Sequence, residues 1–331
     1  MFSILKRFKV KVYGFIANRT PVVEVFTVLY SLLLHIRFSF NNKDPGFEKA
    51  RLEYFLLKNY HIVEKGLALP DPRKGFGQPK IINLIKKTRE YEKLYPDLTI
   101  GVLVRDTLRE YLEFHKNDMF IFSADFLDHM KLFLREKSAQ GEGGLKYLKK
   151  SEMVTLGGDH FERFLNCRHS IRNYSKDPVD DGIIAHAISV SQNTPSVCNR
   201  QGWFVHYYSD KKKIKELLTY QNGNAGFTES IDKLLIVTAS TKAFTRYEHN
   251  QLFIDGGLYS MNLMLALHSV GLGSCPLNTC MSWLKENELK KSAAIESHER
   301  LIMMIAVGNL LEEFSVARSK KNSVSKIMRQ H

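Results

Sequence analysis

Apolar residues recur at the 3.6-residue helical period through much of the first 150 positions. Leu52, Phe55, Leu56 and Val63 form one stripe, and Ile81, Leu84, Ile85 and Thr88 form a second. Val104, Leu108, Tyr111 and Leu112 make a third, and Phe122, Phe126, Met130 and Phe133 a fourth. Each stripe predicts an amphipathic helix whose apolar face needs a partner, and four in succession predict a helical bundle. Pro70, Pro72, Gly75, Gly77 and Pro79 break the pattern between the first two stripes, and Pro96 breaks it between the next two. Residues 25–36 are apolar over 12 positions between Glu24 and Arg37. A spanning helix needs ~20 such residues, so this stretch predicts a buried helix.

The periodicity changes after the small, polar run Ala139-Gln140-Gly141-Glu142-Gly143-Gly144, the best linker candidate in the chain. Pro178 and Asp180 precede a helix that runs through Ser191, and residues 203–208 alternate like a strand. Residues 211–218 predict a helix and 234–239 a short buried strand. Residues 251–270 are apolar nearly all round, which predicts a buried helix, and 301–307 form a last strand. The second half is therefore α+β: helices flanking a mixed, mainly antiparallel sheet, preceded by an all-helical N-terminal region. The expected division is 1–150 and 151–331, since 331 residues exceed the usual size of one domain.

Composition is ordinary for a globular chain, 44% hydrophobic and 25% charged, but charge is unevenly spread. Residues 1–150 carry 27 Lys and Arg against 17 Asp and Glu, most of the net +13. Such an excess suits an anionic partner or a solvated basic face equally well. Within residues 1–20, Lys6, Arg7, Lys9, Lys11 and Arg19 stand without an acid among Phe2, Ile4, Leu5, Phe8, Val10 and Tyr13. That pattern suits an interfacial helix on an anionic membrane surface; nucleic acid is not an expected partner. The N-terminus lacks the h-region and cleavage site of a secretory signal, and none of the four cysteines pairs at C-x-x-C spacing. The expected location is cytoplasmic or peripheral to the inner membrane face, with reduced thiols and no metal site.

Three segments carry candidate chemistry. At 168–172 the chain reads RHSIR, where two guanidinium groups and a hydroxyl can grip a phosphate, although such a run is also common in basic loops. At 194–203 it reads TPSVCNRQGW, where Asn199 and Gln201 offer amides for a flat heterocyclic edge; a polar turn before a strand is the plainer reading. At 271–279 it reads GLGSCPLNT, whose glycines permit close backbone approach. The last is not a dinucleotide fingerprint, because it follows a helix and lacks the G-x-G-x-x-G spacing.

In this order and spacing the segments resemble the nitroreductase family of FMN-dependent oxidoreductases, over roughly residues 163–328. The final strand closing at Gly308 and the basic pair of Arg318-Ser319-Lys320 complete the match. The resemblance implies that Arg168, Ser170, Arg318 and Lys320 hold the FMN phosphate, with His169 near the ribityl chain. It implies Arg172 by the pyrimidine edge, where a cation stabilises reduced flavin, and Pro195, Ser196, Asn199 and Gln201 along the flavin. Backbone near Pro276 and Leu277 would approach N5. The family dimerises through its central helix, so residues 251–270 are the expected homodimer contact.

The implied function is hydride transfer from NADH or NADPH, through flavin N5, to a small organic acceptor. Alternatives are a membrane-proximal tailoring dehydrogenase acting on a nucleotide- or lipid-linked intermediate, and a flavin-binding module without turnover. Cys198, inside the amide segment, reads as a redox thiol or a small buried filler. His61, Glu64 and Lys65 read as a lining of the flavin mouth, an acidic-ligand site or a helix-terminal packing motif.

Overall fold

The structure, a computed structural model, describes residues 21–41, 44–117, 120–136, 141, 143–149 and 157–331. The basic segment 1–20 lies outside the described residues, as do Ala139, Gln140 and Glu142 of the glycine-rich run.

The N-terminal region is helical: α1 (Val22–Phe38), α2 (Lys49–Leu67), α3 (Gln78–Leu94), α4 (Thr99–Asn117) and α5 (Ala124–Arg135). The four predicted stripes fall on α2 to α5 and meet in one core, where Leu52, Leu56, Ile81, Val104, Leu108, Met130 and Phe133 are wholly buried. Ser123 caps α5 by accepting from the Phe126 N–H at 3.3 Å. His115 is a satisfied core residue: Nδ1 donates to the Tyr111 carbonyl at 2.7 Å, and Nε2 accepts from the Gly75 N–H at 2.8 Å. Glu64 has the packing role. It pairs with His61 at 2.9 Å and accepts from the Gly144 N–H at 3.0 Å, while Asp106 accepts from the Gly141 N–H at 2.7 Å. The described part of the glycine-rich run is thus tied to the bundle.

Helix α1 departs from the buried helix predicted for it. Only Leu34 and His35 are buried, while Val25, Phe26, Leu29, Leu33 and Ile36 are exposed. One face alone meets the protein, because α1 lies on the outside of the C-terminal half instead of inside the bundle. Tyr30 bonds Asn287 at 3.0 Å, and Ser31 accepts from Arg300 at 2.6 Å. Among the described residues no helix is long and apolar enough to cross a membrane.

The C-terminal half continues with α6 (Asp159–Cys167), α7 (Asp181–Ser191), β1 (Trp203–Tyr208), α8 (Lys211–Leu218), β2 (Lys233–Ser240) and α9 (Gln251–Ser269). It ends with β3 (Leu272–Leu277), α10 (Trp283–Ala293), β4 (Glu299–Asn309) and α11 (Val324–Ile327). The strands pair in the order β1-β2-β4-β3, every pair antiparallel. Alternation divides the sheet's side chains: Leu235, Val237, Ile305 and Val307 pack with α7 and α9, and Leu234, Ile236, Met304 and Ala306 pack with α8 and α10. Central β2 is buried along its whole length. Helix α9 is buried on one side only, with Phe253, Ile254, Leu258 and Met261 exposed on the other.

Register fixes where the sheet's corners lie. Trp203 aligns with Ala239 and then Arg300, whereas Lys233 aligns with Val307 and then Ser274. The start of β1 and the start of β3 are therefore diagonally opposite corners.

Arg105 crosses the bundle core with its side chain almost fully buried. It makes two bonds to Glu92, at 2.6 and 3.0 Å, and lies 4.2 Å from the Phe133 ring centroid. Removing one partner of such a pair strands the other charge, whereas replacing both is tolerated far better. Arg105→Ala should cost ~3–5 kcal/mol in urea unfolding, and the double change Arg105→Met with Glu92→Leu markedly less.

Candidate functional site

The cationic segment is built onto the edge of the sheet. Ser170 forms a parallel bridge with Ser274 of β3, and the Ile171 N–H donates to the Ser274 carbonyl at 2.9 Å. Tyr174 locks the far side, its hydroxyl donating to the carbonyls of Ile171 at 2.7 Å and Ala306 at 3.2 Å. Two glycines make the approach possible. A Cβ on Gly273 would lie 2.9 Å from Leu310 and 3.2 Å from Ile171, and one on Gly308 would lie 2.6 Å from the Tyr174 ring.

This docking places Arg168, His169, Ser170 and Arg172 around a cavity of about 220 Å³, closed by Arg318, Ser319 and Lys321 from the C-terminal segment. Lys320 is exposed and is not among the lining residues; the neighbouring Lys321 is. Arg168 Nη1 is buried without a hydrogen-bond partner among the described residues. A buried guanidinium N–H aimed at no acceptor is costly, so this corner is built for an anion. His268, behind the segment, is held below the ordinary histidine range by burial, with the charges of Arg168 and His169 adding to the effect. Cys275 on β3 is pushed up by burial, against the pull of Arg172 and Arg168, and stays a thiol.

The amide segment lies at the opposite corner, before β1. Three of its residues, Cys198, Asn199 and Gln201, hold positive φ of 50°, 51° and 49°. Side chains other than glycine rarely adopt this region, and such strain persists only where surroundings impose it. Here they do. The Val197 N–H donates to Asp255 at 3.1 Å and the Gln201 N–H to Ser196 Oγ at 2.9 Å. Arg200, its side chain fully buried, makes a bidentate pair with Glu248, both bonds 2.9 Å, and its Nε donates to the Val197 carbonyl at 3.1 Å. Helix α2 packs against the 197–199 turn from outside. Asn199 and Gln201 are left exposed, with the Gln201 amide 3.3 Å from Asn199 Oδ1. Pro195 is exposed and Cys198 half-buried.

Of the residues singled out from the sequence, Arg168, His169, Ser170, Arg172 and Arg318 come together. Pro195, Ser196, Asn199 and Gln201 gather separately at the diagonally opposite corner, three strand spacings or about 14 Å across the sheet and about 20 Å along it. Pro276 and Leu277 lie farther along β3, about 7–10 Å from Ser274 at strand rise. Leu277 is buried in the core, so only its backbone faces the edge. Sequence reading passed over Arg200, Glu248, Asp255, Ser319 and Lys321. A lone arginine amid polar turn residues carries no pattern, and Glu248 is 48 positions away.

A model of the nitroreductase family matches residues 165–226 and 219–309. Residues 165–309 form a nitroreductase-family domain. Solved structures similar to this chain include a candidate NADH dehydrogenase/NAD(P)H nitroreductase of Parabacteroides distasonis, at 21% identity and TM-score 0.47, covering 53% of this chain and 99% of that one. A candidate nitroreductase of Desulfovibrio desulfuricans solved with FMN is 18% identical at TM-score 0.47, covering 53% and 98%. An FMN-dependent nitroreductase of Clostridium difficile is 18% identical at TM-score 0.44, covering 51% and 98%. The cationic cradle begins at the domain's N-terminal boundary, and Arg318 and Lys321 lie just past its C-terminal one.

Within the nitroreductase domain, burial works to raise the Glu248 pKa, but the bonds from Arg200 and the Thr245 N–H outweigh it and hold it down at about 2. A carboxylate depressed in the folded state contributes stability above its unfolded value of 4.5, lost as pH falls toward 2. Wild type should exceed Glu248→Gln by ~2–3 kcal/mol at pH 6, and urea unfolding should show that gap closing between pH 4.5 and 2.

Proposed function

We propose that the C-terminal half is an FMN-dependent oxidoreductase that takes hydride from NADH or NADPH and gives it to a small organic acceptor. The observation that carries the reading is Arg168, whose buried Nη1 has no partner among the described residues, lining one cavity with Arg172, Arg318, Lys321 and two serines. That donor set matches the terminal phosphate of a mononucleotide. Bound flavin would supply the hydride chemistry. The chain's own residues do the rest. Arg168, Ser170 and Arg318, with Lys321 in the place expected of Lys320, hold the phosphate. Arg172, exposed beside β3, supplies a fixed cation that favours negative charge on the ring system. Asn199 and Gln201 present amides on a backbone that strain and the Arg200 pair keep in one shape, which suits reading of a flat edge.

The opposed corners support a homodimer, in which the amide loop of a second copy completes the site begun by the cradle of the first. The exposed apolar face of α9 is the contact we assign to it. The division at 150/151 belongs to the same proposal, with α1 and α2 acting as struts from the helical region onto the redox domain.

Purified protein should carry FMN, not FAD. Arg168→Ala should weaken FMN binding ~10–100-fold, as expected for loss of one charge-assisted bond worth ~1.5–3 kcal/mol. Arg172→Ala, saturated with FMN, should keep the cofactor but show a lower midpoint potential and slower reduction by NADH or NADPH. Equal FMN affinity for Arg168→Ala and wild type in fluorescence titration would remove the cradle from the reading.

A further inference from the structure

A second cavity, of about 290 Å³, lies between α1 and the start of α9, with no residue of either segment described above among its lining. Its walls are mostly apolar, from Val28 and Leu32 of α1 and Leu252 and Phe253 of α9. Three buried polar side chains line it as well, Arg300, His35 and Thr241, and the last two each carry an atom with no partner among the described residues. Among the described residues His35, 4% exposed, has no partner at Nδ1, and Thr241, 1% exposed, has none at Oγ1. Leaving two buried polar atoms unpaired in one cavity costs stability, and native proteins rarely do so without an occupant.

The atoms define what that occupant offers. His35 Nε2 lies 3.0 Å from the Thr245 carbonyl, which can only accept, so the ring proton is on Nε2 and Nδ1 is a bare acceptor. Burial, the largest influence on the ring, holds its pKa below the ordinary value and keeps it neutral. Nδ1 therefore needs a donor, while the Thr241 hydroxyl can give or take a hydrogen bond. A deprotonated carboxylate or phenolate has no proton for Nδ1, and Arg300, the one arginine among the described lining residues, already has partners in Glu286 at 3.2 and 3.3 Å and Ser31 at 2.6 Å. A cationic ligand finds no carboxylate among the lining residues. What remains is a neutral hydroxyl on an apolar body, and the rings of Phe253, His35 and His249 favour a flat one. The volume is near the lower end of ligand sites, ~300 Å³, which limits that body to one or two rings.

We propose that this cavity binds a small neutral aromatic alcohol, whose hydroxyl donates to His35 Nδ1 and bonds Thr241, and whose ring lies against Leu32, Leu252 and Phe253. The site exists only because α1, an element outside the matched family domain, closes over the start of α9. It stands independently of the flavin reading.

Calorimetry on the full chain with 4-propylphenol, and with its methyl ether as a control that cannot donate, tests the assignment. The phenol should bind once per chain, about three- to tenfold tighter than the ether, the worth of one neutral hydrogen bond. Thr241→Val, isosteric but without the hydroxyl, should weaken the phenol about three- to tenfold. Leu32→Trp, a change on the half-exposed side of α1, should fill the cavity and abolish binding. Excess FMN should not compete. Absence of phenol binding up to about 1 mM, a Kd worth only about −4 kcal/mol, would mean that the two atoms merely hold water and would overturn the proposal. Equal binding of phenol and ether, undiminished binding by Leu32→Trp, or displacement by FMN would overturn it too.

Discussion

A guanidinium buried to the last atom must find its acceptors inside the protein, and Arg200 finds them in Glu248 and the Val197 carbonyl. That requirement organises the junction between the two halves of the chain. Glu248 lies just before α9, so the pair fixes the strained 198–201 turn to the start of the domain's longest helix. The guanidinium also lies over Phe244 at 5.2 Å and Phe40 at 6.0 Å. Phe40 belongs to the core of the helical bundle, packing edge-on to Phe55, and its backbone bridges Thr245. One buried charge thus holds together the amide loop, α9 and the bundle. The helical region is part of the scaffold of the redox domain, not an appendage joined only through the residues around 150.

The sheet acts as a spacer with two differently built ends. Its central strand is buried throughout, so the distance between corners is set by backbone hydrogen bonding and resists change. At the β3 corner the chain adds a single parallel bridge at Ser170 and relies on glycines for the close approach. At the β1 corner it relies instead on positive φ held by side-chain bonds. The first arrangement positions charge and the second positions amides.

Periodicity made the bundle legible, because α2 to α5 each bury one stripe and a stripe is visible in any single sequence. The helices 181–191 and 211–218 and strands β1, β2 and β4 were legible too, β1 through alternation, β2 as a short apolar run and the first helix through Pro178 and Asp180 before it. Strand β3 was not, since Gly271, Gly273 and Pro276 read as loop; edge strands tolerate proline and glycine that central strands do not. The exposure of α1 was hidden too, because hydrophobicity predicts that a helix wants cover, not that it receives it. At the site, Arg168, His169, Ser170 and Arg172 could be read locally, as they share one pentapeptide, whereas Arg318 came only from the family resemblance and Lys321 from the structure. The Arg200–Glu248 pair and the separation of the two corners depend on topology, which local pattern does not contain.

Helix α1 and helix α9 share one further property: each leaves an apolar face uncovered, and the faces adjoin where Val28, Leu32 and Phe253 line the same cavity. A second copy docking on α9 would therefore lie against the mouth of that cavity. An occupant of the cavity would change the apolar area presented there, and dimerisation would change access to the cavity in return. Linkage makes these effects equal in free energy. The chain that closes the cavity lies outside the matched family domain, so this coupling, where the dimer forms, is a property that the helical half confers on the redox half.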